Sequence, residues 1–181
     1  QQLSDLLIAG IYLSPNDISH YSISLTIAEM LLFPNYAIQR VFQSRFAKNP
    51  NFKFLLSILS LSIIFTSILC LLHFCFALNL YSILFPKFDS LLLYNITSIL
   101  SFYSFFRTFN SYYILYLNFN NQQIISTSFI TFATLLNLIL NLYYIPLYGL
   151  SVMPWITVLS ELSVLMFSLV HVFSKRLNLT S

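Results

Sequence analysis

The stretch from Phe54 to Leu78 contains no charged residue and is predominantly apolar, and it restricts the possible folds more than any other feature. A helix needs about 20 mostly apolar residues to cross the hydrocarbon core of a membrane. Charged residues make up 7% of the whole sequence, whereas soluble domains carry about 25%. So few charges cannot cover a surface that faces water. We therefore predict an all-α polytopic membrane protein and exclude a soluble globular domain.

The apolar segments divide residues 1–181 into a single predicted bundle of transmembrane helices. Their predicted bounds are Leu3–Leu13, Tyr21–Ile38, Phe54–Leu78, Ser90–Leu117, Ile124–Leu147 and Leu150–Phe173. The first segment is interpreted as the end of a sixth helix, because the sequence opens on Gln1 inside an apolar stretch, and an N-terminal portion is expected to be missing. The other five are expected to be complete spans. Pro34 lies inside the second segment and is expected to kink it. Turn residues separate the segments at 14–17, 85–89 and 118–121.

The positions of the basic residues predict an orientation in the membrane. Cytoplasmic loops are enriched in Lys and Arg. One basic cluster follows the second predicted helix, and Lys175 and Arg176 follow the last one; the first cluster consists of Arg40, Arg45, Lys48 and Lys53. Four predicted spans separate the two clusters, so both fall on one side and only Lys87 falls on the other. The C-terminus is therefore predicted to be cytoplasmic.

Three charged residues fall inside the five predicted complete spans, namely Glu29, Arg107 and Glu161, while Asp5 in the first segment is given no role. A charge at the centre of a membrane helix costs about 2.5–3.5 kcal/mol on insertion scales, so each is expected to have a partner or water. Glu161 is expected either to pair with Arg107 or to contact a helix outside this sequence. Arg107 and Glu29 are candidates for a hydrated cavity, and structural pairing is the alternative for both.

Polar residues recur at helical spacing on four predicted helices, which favours a bundle around a hydrated cavity. The stripes consist of Ser22, Thr26, Glu29 and Tyr36; Ser104, Arg107 and Ser111, flanked by Tyr103 and Asn110; Thr127, Thr131, Thr134 and Asn141, with Asn137 at the edge; and Thr157, Glu161, Ser168 and His171. Asn137 and Asn141 complete the set of cavity candidates. Because Ser, Thr and Asn also join membrane helices by hydrogen bonds, a structural role stays open for both asparagines.

Several kinds of chemistry find no support in the sequence. Gly10 and Gly149 are the only glycines, so a Gly-rich phosphate loop is excluded. Cys70 and Cys75 have no accompanying His/Cys cluster, which makes a metal site improbable. The net charge of +3 without a basic block argues against nucleic acid as a partner. Transport or passive assembly is expected rather than catalysis, with no cofactor beyond a coupling proton or cation.

One motif resembles a known family of transporters. Asn137 and Asn141 precede Ile145-Pro146-Leu147-Tyr148-Gly149 in the pattern N-x-x-x-N-x-x-x-I-P-x-Y-G. This pattern is similar to one in polysaccharide and O-antigen flippases of the multidrug/oligosaccharidyl-lipid/polysaccharide exporter superfamily. Further matching positions are Thr157, Ser160 and Glu161, the stretch Ser4–Ser22, Phe33-Pro34, and the stretch Arg45–Asn49. Val152-Met153-Pro154 departs from the usual Gly-Ala-Ala, which puts close small-residue packing in doubt there.

The resemblance implies a function and a larger architecture. The chain would be the C-terminal six-helix half of a twelve-helix transporter, whose two bundles face a central cavity. Such proteins move an undecaprenyl-diphosphate-linked oligosaccharide, an O-antigen or capsule repeat unit, across the bacterial inner membrane. The implied partners are this lipid-linked oligosaccharide, membrane lipid and the N-terminal half of the same chain. From its charge, Arg107 is expected to contact the diphosphate or an acidic sugar, and Glu29 and Glu161 either couple protons or cations or balance Arg107.

Three other functions stay open at this stage. A drug or cation antiporter of the same superfamily requires a stronger acidic cavity site. A membrane polysaccharide polymerase or ligase typically has a sizeable external loop, which this sequence lacks. A non-transporting assembly subunit is the third.

Overall fold

The structure, a computed structural model, describes residues 2–48 and 51–178, and these residues form helices without any strand. Seven α-helices and one short 3₁₀ helix follow each other along this part of the chain. Their bounds are α1 Gln2–Tyr12, α2 Pro15–Met30, α3 Phe33–Lys48, α4 Phe52–Leu84, α5 Ser90–Phe119, α6 Gln123–Tyr148, the 3₁₀ helix Gly149–Val152 and α7 Met153–Asn178. The predicted all-helical fold is therefore confirmed.

Helix α5 is the centre of the bundle and contacts α2, α3, α4, α6 and α7. Small hydroxyl residues line its buried sides, namely Thr97, Ser101, Ser104 and Thr108. Each donates a hydrogen bond to the carbonyl four residues earlier in the same helix. With their hydroxyls satisfied in this way, small side chains let neighbouring helices approach closely in apolar surroundings.

The helices alternate in direction around α5. Ser62 on α4 contacts Tyr112 on α5, while the Phe74 carbonyl accepts a hydrogen bond from Tyr94, so α4 and α5 are antiparallel. Helix α7 packs directly on α5 and runs parallel to it, and α6 is antiparallel to α7. The last turns of α7, the end of α3 and the start of α4 consequently lie at the same end of the bundle, as the positions of the two basic clusters predict. The side chains of Lys175 and Arg176 lie outside the described part of the chain.

The second predicted helix, Tyr21–Ile38, is wrong as a single element, because the structure divides it into α2 and α3. Leu31 and Leu32 form a turn between them. Pro34 explains the break, because it has no N–H to donate to the carbonyl of Met30 and its ring clashes with that carbonyl. The kink expected at Pro34 is thus confirmed as a complete interruption of the helix.

Helix α2 also begins earlier than predicted, at Pro15. The Ser14 side chain accepts a hydrogen bond from the Asp17 N–H at 3.2 Å and caps the helix. Proline suits the first helical position, where its missing N–H would have no partner. The predicted turn at 14–17 is therefore mostly the first turn of α2. The break at 85–89 is confirmed, and Asp89 caps α5 through the N–H groups of Leu91 and Leu92.

Two stretches have the length and composition to cross a membrane. They are Lys53–Leu84, which lies in α4, and Gln123–Val172, which runs through α6, the 3₁₀ helix and α7. Among the described residues, α1, α2, α3 and α5 lack either the length or the apolar composition of such a stretch. Five complete spans plus the end of a sixth therefore stay a prediction.

Candidate functional site

An ion pair lies at the contact between α5 and α7. The Arg107 Nη1 donates a hydrogen bond to Glu161 Oε1 at 2.9 Å, and within the described residues no other ion pair is this close. The Glu161 side chain is 1% exposed, whereas the Arg107 side chain is 36% exposed. Of the two partners that the sequence allows for Glu161, the structure therefore shows Arg107.

A buried asparagine fixes the carboxylate of this pair. Asn110 Nδ2 lies 2.8 Å from Glu161 Oε2 and 2.8 Å from the Glu161 main-chain oxygen. Asn110 stands one turn after Arg107 on α5, so both reach α7 from the same helix face. Glu161 Oε2 accepts from Asn110 and Glu161 Oε1 accepts from Arg107. The carboxylate therefore binds the guanidinium through a single nitrogen, Nη1. We name Arg107, Asn110 and Glu161 the Arg107 centre.

Arg107 lies next to two residues that line an open groove on α2 and α3. This groove has a volume of about 490 Å³ and is lined by Thr26, Glu29, Met30, Phe33 and Tyr36. Glu29 and Tyr36 both lie close enough to the guanidinium to interact with it electrostatically. The sequence placed Thr26, Glu29 and Tyr36 on one face of a single helix, which is wrong because Tyr36 lies on α3. All three residues nevertheless line this groove.

A second hollow continues the groove towards the end of α3. It has a volume of about 550 Å³, and its lining residues are Phe33, Tyr36, Ala37, Gln39, Arg40 and Gln43. Phe33 and Tyr36 belong to both hollows, so the two form one continuous surface. We call this surface the α2–α3 groove. Its lining changes from apolar and acidic near Glu29 to polar and basic near Arg40.

A second polar cluster joins α1, α2, α6 and α7. Asp5 is buried, and its Oδ1 accepts a hydrogen bond from Asn141 Nδ2 at 2.9 Å. Its Oδ2 lies 3.4 Å from both the Tyr21 hydroxyl and Thr157 Oγ1. Asn141 also donates to Asn137 Oδ1 at 2.9 Å. We name these five residues the Asp5 centre.

The structure thus divides the predicted site residues into two groups. Arg107 and Glu161 form one centre, with Glu29 at the groove beside it. Asn137 and Asn141 belong to the other centre, where they join α6 to α1 rather than line the α2–α3 groove. Thr157 and Glu161 stand four residues apart on α7, so the two centres are separated by about 6 Å along that helix.

The two centres have different chemical capacities. In the Arg107 centre one positive and one negative charge cancel, and the exposed guanidinium N–H groups remain able to donate to an anion. In the Asp5 centre the acid has no Lys or Arg within 4 Å among the described residues. An acid surrounded by hydroxyl and amide groups either carries a proton or takes up a small hard cation through oxygen ligands. Within the described part of the chain, no group of three or more His, Cys, Asp or Glu residues is placed to hold a metal.

Sequence reasoning gave no role to Asp5, because it lies close to the start of the chain, where no span is complete. It gave Asn110 only a flanking position. A spacing signal existed for Asn110, since it lies three residues after Arg107 and hence on the same side of the helix. Asp5 gave no such signal, because its partners lie on three other helices.

Comparisons with family models, with curated proteins and with solved structures gave no match to this chain.

Proposed function

We propose that this chain is part of a transporter that moves an undecaprenyl-diphosphate-linked oligosaccharide across the bacterial inner membrane. The observation that carries the proposal is the position of Arg107. Its guanidinium is held by Glu161, its side chain is 36% exposed, and it interacts with Glu29 and Tyr36 of the α2–α3 groove. A fixed cation beside a groove offers planar, bidentate hydrogen bonding to a phosphate.

The depth of Arg107 supports a role in transport. Along α5 it lies about 26 Å from Ser90 and about 18 Å from Phe119. In the proposed topology α5 crosses the bilayer, and an arginine far from both ends of such a helix is costly and usually faces a protein interior or a water-filled cavity. Pairing with Glu161 offsets this cost. A diphosphate would then bind the N–H groups that Glu161 does not use.

The α2–α3 groove supplies a path to this position. Arg40 is exposed in the groove at the end where α3 joins α4, and this is the end that the basic clusters predict to be cytoplasmic. We infer that the lipid diphosphate first contacts Arg40 and then reaches Arg107. In this orientation the chain crosses the membrane several times and its C-terminus is cytoplasmic.

Replacement of Arg107 tests the proposal. In the native host, Arg107→Ala is expected to abolish surface polysaccharide and to accumulate single lipid-linked repeat units on the cytoplasmic side. Arg45→Ala is the matched control, because Arg45 is exposed and lies over the Phe54 ring at 5.0 Å, away from the groove. Immunoblots of membrane fractions check that each variant reaches the membrane.

A paired variant separates lost transport from lost folding. Arg107→Ala leaves the Glu161 carboxylate buried without its cation, which is destabilising. Arg107→Gln combined with Glu161→Gln removes both charges and keeps the side-chain volumes similar. We expect this double variant to reach the membrane at the wild-type level and to export nothing. Wild-type export by the double variant would remove Arg107 from the mechanism.

We place the coupling of a proton or cation at Asp5, because Asp5 is buried whereas Glu29 lies in an open groove. Glu161 is committed to Arg107, which leaves Glu29 in the groove and Asp5 in the closed Asp5 centre. Asp5→Asn keeps the shape and hydrogen-bonding capacity of the side chain while it removes the charge. We expect this variant to remain in the membrane and to lose export that is driven by an ion gradient.

One observation favours a second candidate function, the export of organic cations. Glu29 shares its hollow with Met30, Phe33 and Tyr36, and carboxylate, thioether and aromatic groups all attract a large cation. Overexpression should then lower susceptibility to cationic drugs, and Glu29→Gln should reverse the effect. Unchanged drug susceptibility together with lost surface polysaccharide in Arg107→Ala would leave the flippase as the function.

A further inference from the structure

A second, apolar groove lies between α4 and α5 on the side of the bundle formed by α4. Its volume is about 490 Å³. Four residues of α4 and four of α5 line it: Ser67, Cys70, Leu71 and Phe74, and Ser101, Phe102, Phe105 and Phe106. On each helix these positions follow helical spacing, so one face of α4 opposes one face of α5.

The groove exists because α4 and α5 touch above and below it but not at its level. On one side of it, Thr66 Oγ1 lies 3.4 Å from Thr108 Oγ1. On the other side, the rings of His73 and Tyr94 stack with centroids 5.9 Å apart. Between these layers, short side chains of Ser67, Cys70 and Ser101 leave the space unfilled.

We propose that this groove binds one acyl chain of a membrane phospholipid. The inference rests on the membrane embedding of the chain and not on the nature of the transported substrate. The groove faces outward along α4, whose stretch Lys53–Leu84 has the length and composition of a membrane span. Cys70 stands about 27 Å from Phe52 and about 21 Å from Leu84 along the helix, so the groove lies near mid-bilayer. At that depth the surroundings are hydrocarbon chains.

Water is a poor occupant of this space. The Ser101 hydroxyl already donates to the Thr97 carbonyl at 3.0 Å, so it does not need a water molecule. Six of the groove's eight lining residues carry no hydroxyl group, and spaces with apolar walls take up apolar ligands in preference to water. Phospholipid chains also outnumber any carrier lipid in the membrane, and mass action favours the abundant ligand.

Photocrosslinking of the purified protein in detergent tests the proposal. The probe is a phosphatidylethanolamine with a diazirine at the middle of one acyl chain, present in trace amounts. Peptide mapping is expected to place adducts on residues 67–74 and 101–106. A diazirine next to the headgroup should leave these residues unlabelled. Adducts spread evenly over the exposed faces of α4 would contradict a bound chain.

The two cysteines provide a matched pair of variants. Cys70 lines the groove, whereas Cys75 is exposed and lies outside it on the same helix. Cys70→Trp should fill the groove and lower the adduct yield several-fold, and Cys75→Trp should leave the yield unchanged. If Cys70→Trp does not fold, Ser101→Leu takes its place, because it fills the groove from α5. This variant should also lower the adduct yield several-fold. Equal yields in the groove variants and the Cys75 variant would overturn the proposal.

Two competition experiments identify other occupants. In the first, undecaprenyl phosphate and unlabelled phosphatidylethanolamine compete with the probe at equal concentrations. Displacement of the probe by undecaprenyl phosphate alone would assign the groove to the tail of a carrier lipid. Covalent dimers formed through Cys70 by a short bifunctional maleimide would assign it to a second copy of the chain. Either result would overturn the assignment to a phospholipid chain.

Discussion

The Arg107 centre and the Asp5 centre bury polar groups in the same bundle by different means. In the Arg107 centre, charges of opposite sign meet across α5 and α7, and a buried asparagine holds the carboxylate in place. In the Asp5 centre, one carboxylate is surrounded by neutral donors from α2, α6 and α7. The first centre balances its charge locally. The second must balance it with something that is exchangeable, a proton or a cation.

The two centres are nevertheless mechanically connected. Helix α7 supplies Thr157 to one centre and Glu161 to the other, and one helical turn separates them. Tyr103 on α5 is buried and lies within electrostatic range of both Tyr21 and Arg107. A small displacement of α7 would therefore alter both centres together.

The largest expected effect comes from Glu161→Ala. It leaves the Arg107 guanidinium without its counter-charge, and removing one partner of a buried ion pair typically costs about 3–5 kcal/mol. The partial exposure of Arg107 places the expected loss of unfolding free energy at the lower end of this range. Unfolding of the purified protein in mixed micelles, followed by circular dichroism, measures it.

A double variant sharpens this test of local charge balance. Arg107→Met combined with Glu161→Met removes both charges and replaces them with apolar groups of similar size. It is expected to recover most of the stability lost in Glu161→Ala, because neither charge remains buried. A double variant as unstable as the single one would show that packing around Glu161, and not charge balance, sustains the Arg107 centre.

A smaller effect is expected from Asn110→Leu. Asn110 makes two hydrogen bonds to Glu161, and hydrogen bonds to charged groups are worth about 1.5–3 kcal/mol. Asn35→Leu is the matched control, because Asn35 is also a buried asparagine that contacts α5, but through the neutral Ser111 hydroxyl at 3.2 Å. We expect the first variant to lower the free energy of unfolding by more than the control. Equal losses would mean that Asn110 does not stabilise the ion pair.

The Arg107 centre could be predicted in part from the sequence, whereas the Asp5 centre could not. The run Phe54–Leu78 predicted α4, because composition alone makes a long uncharged segment helical in a membrane. Arg107 and Glu161 were identifiable because a charge inside an apolar helix is rare and needs a partner. The structure selects one of the two partners that the sequence left open for Glu161.

The Asp5 centre could not be predicted, because its contacts join distant parts of the chain. Tyr21, Asn141 and Thr157 lie 16, 136 and 152 residues from Asp5, and no helical periodicity relates such positions. The break between α2 and α3 was only half predicted. Pro34 indicates a kink, but its size depends on whether neighbouring groups satisfy the freed Met30 carbonyl.

The smallest expected effect is that of Asn141→Leu in the Asp5 centre. Hydrogen bonds between membrane helices contribute about 0.6 kcal/mol on average and up to about 1.7 kcal/mol. Asn141 donates to both Asp5 and Asn137, so we expect a loss near the upper value. Unfolding in mixed micelles measures it, with Asn137→Leu as the control that leaves the contact with Asp5 intact.

This last variant also reports on the state of Asp5. A protonated Asp5 makes an ordinary neutral hydrogen bond, so Asn141→Leu should cost nearly the same in the wild type and in Asp5→Asn. An ionised Asp5 accepts one of its hydrogen bonds from Asn141, and hydrogen bonds to charged groups are stronger than neutral ones. Asn141→Leu should then lower the free energy of unfolding more in the wild type than in Asp5→Asn. We expect the two costs to be similar. A wild-type cost as large as that of Glu161→Ala would mean that the two centres bury charge alike, and that Asp5 needs a bound cation in the folded protein.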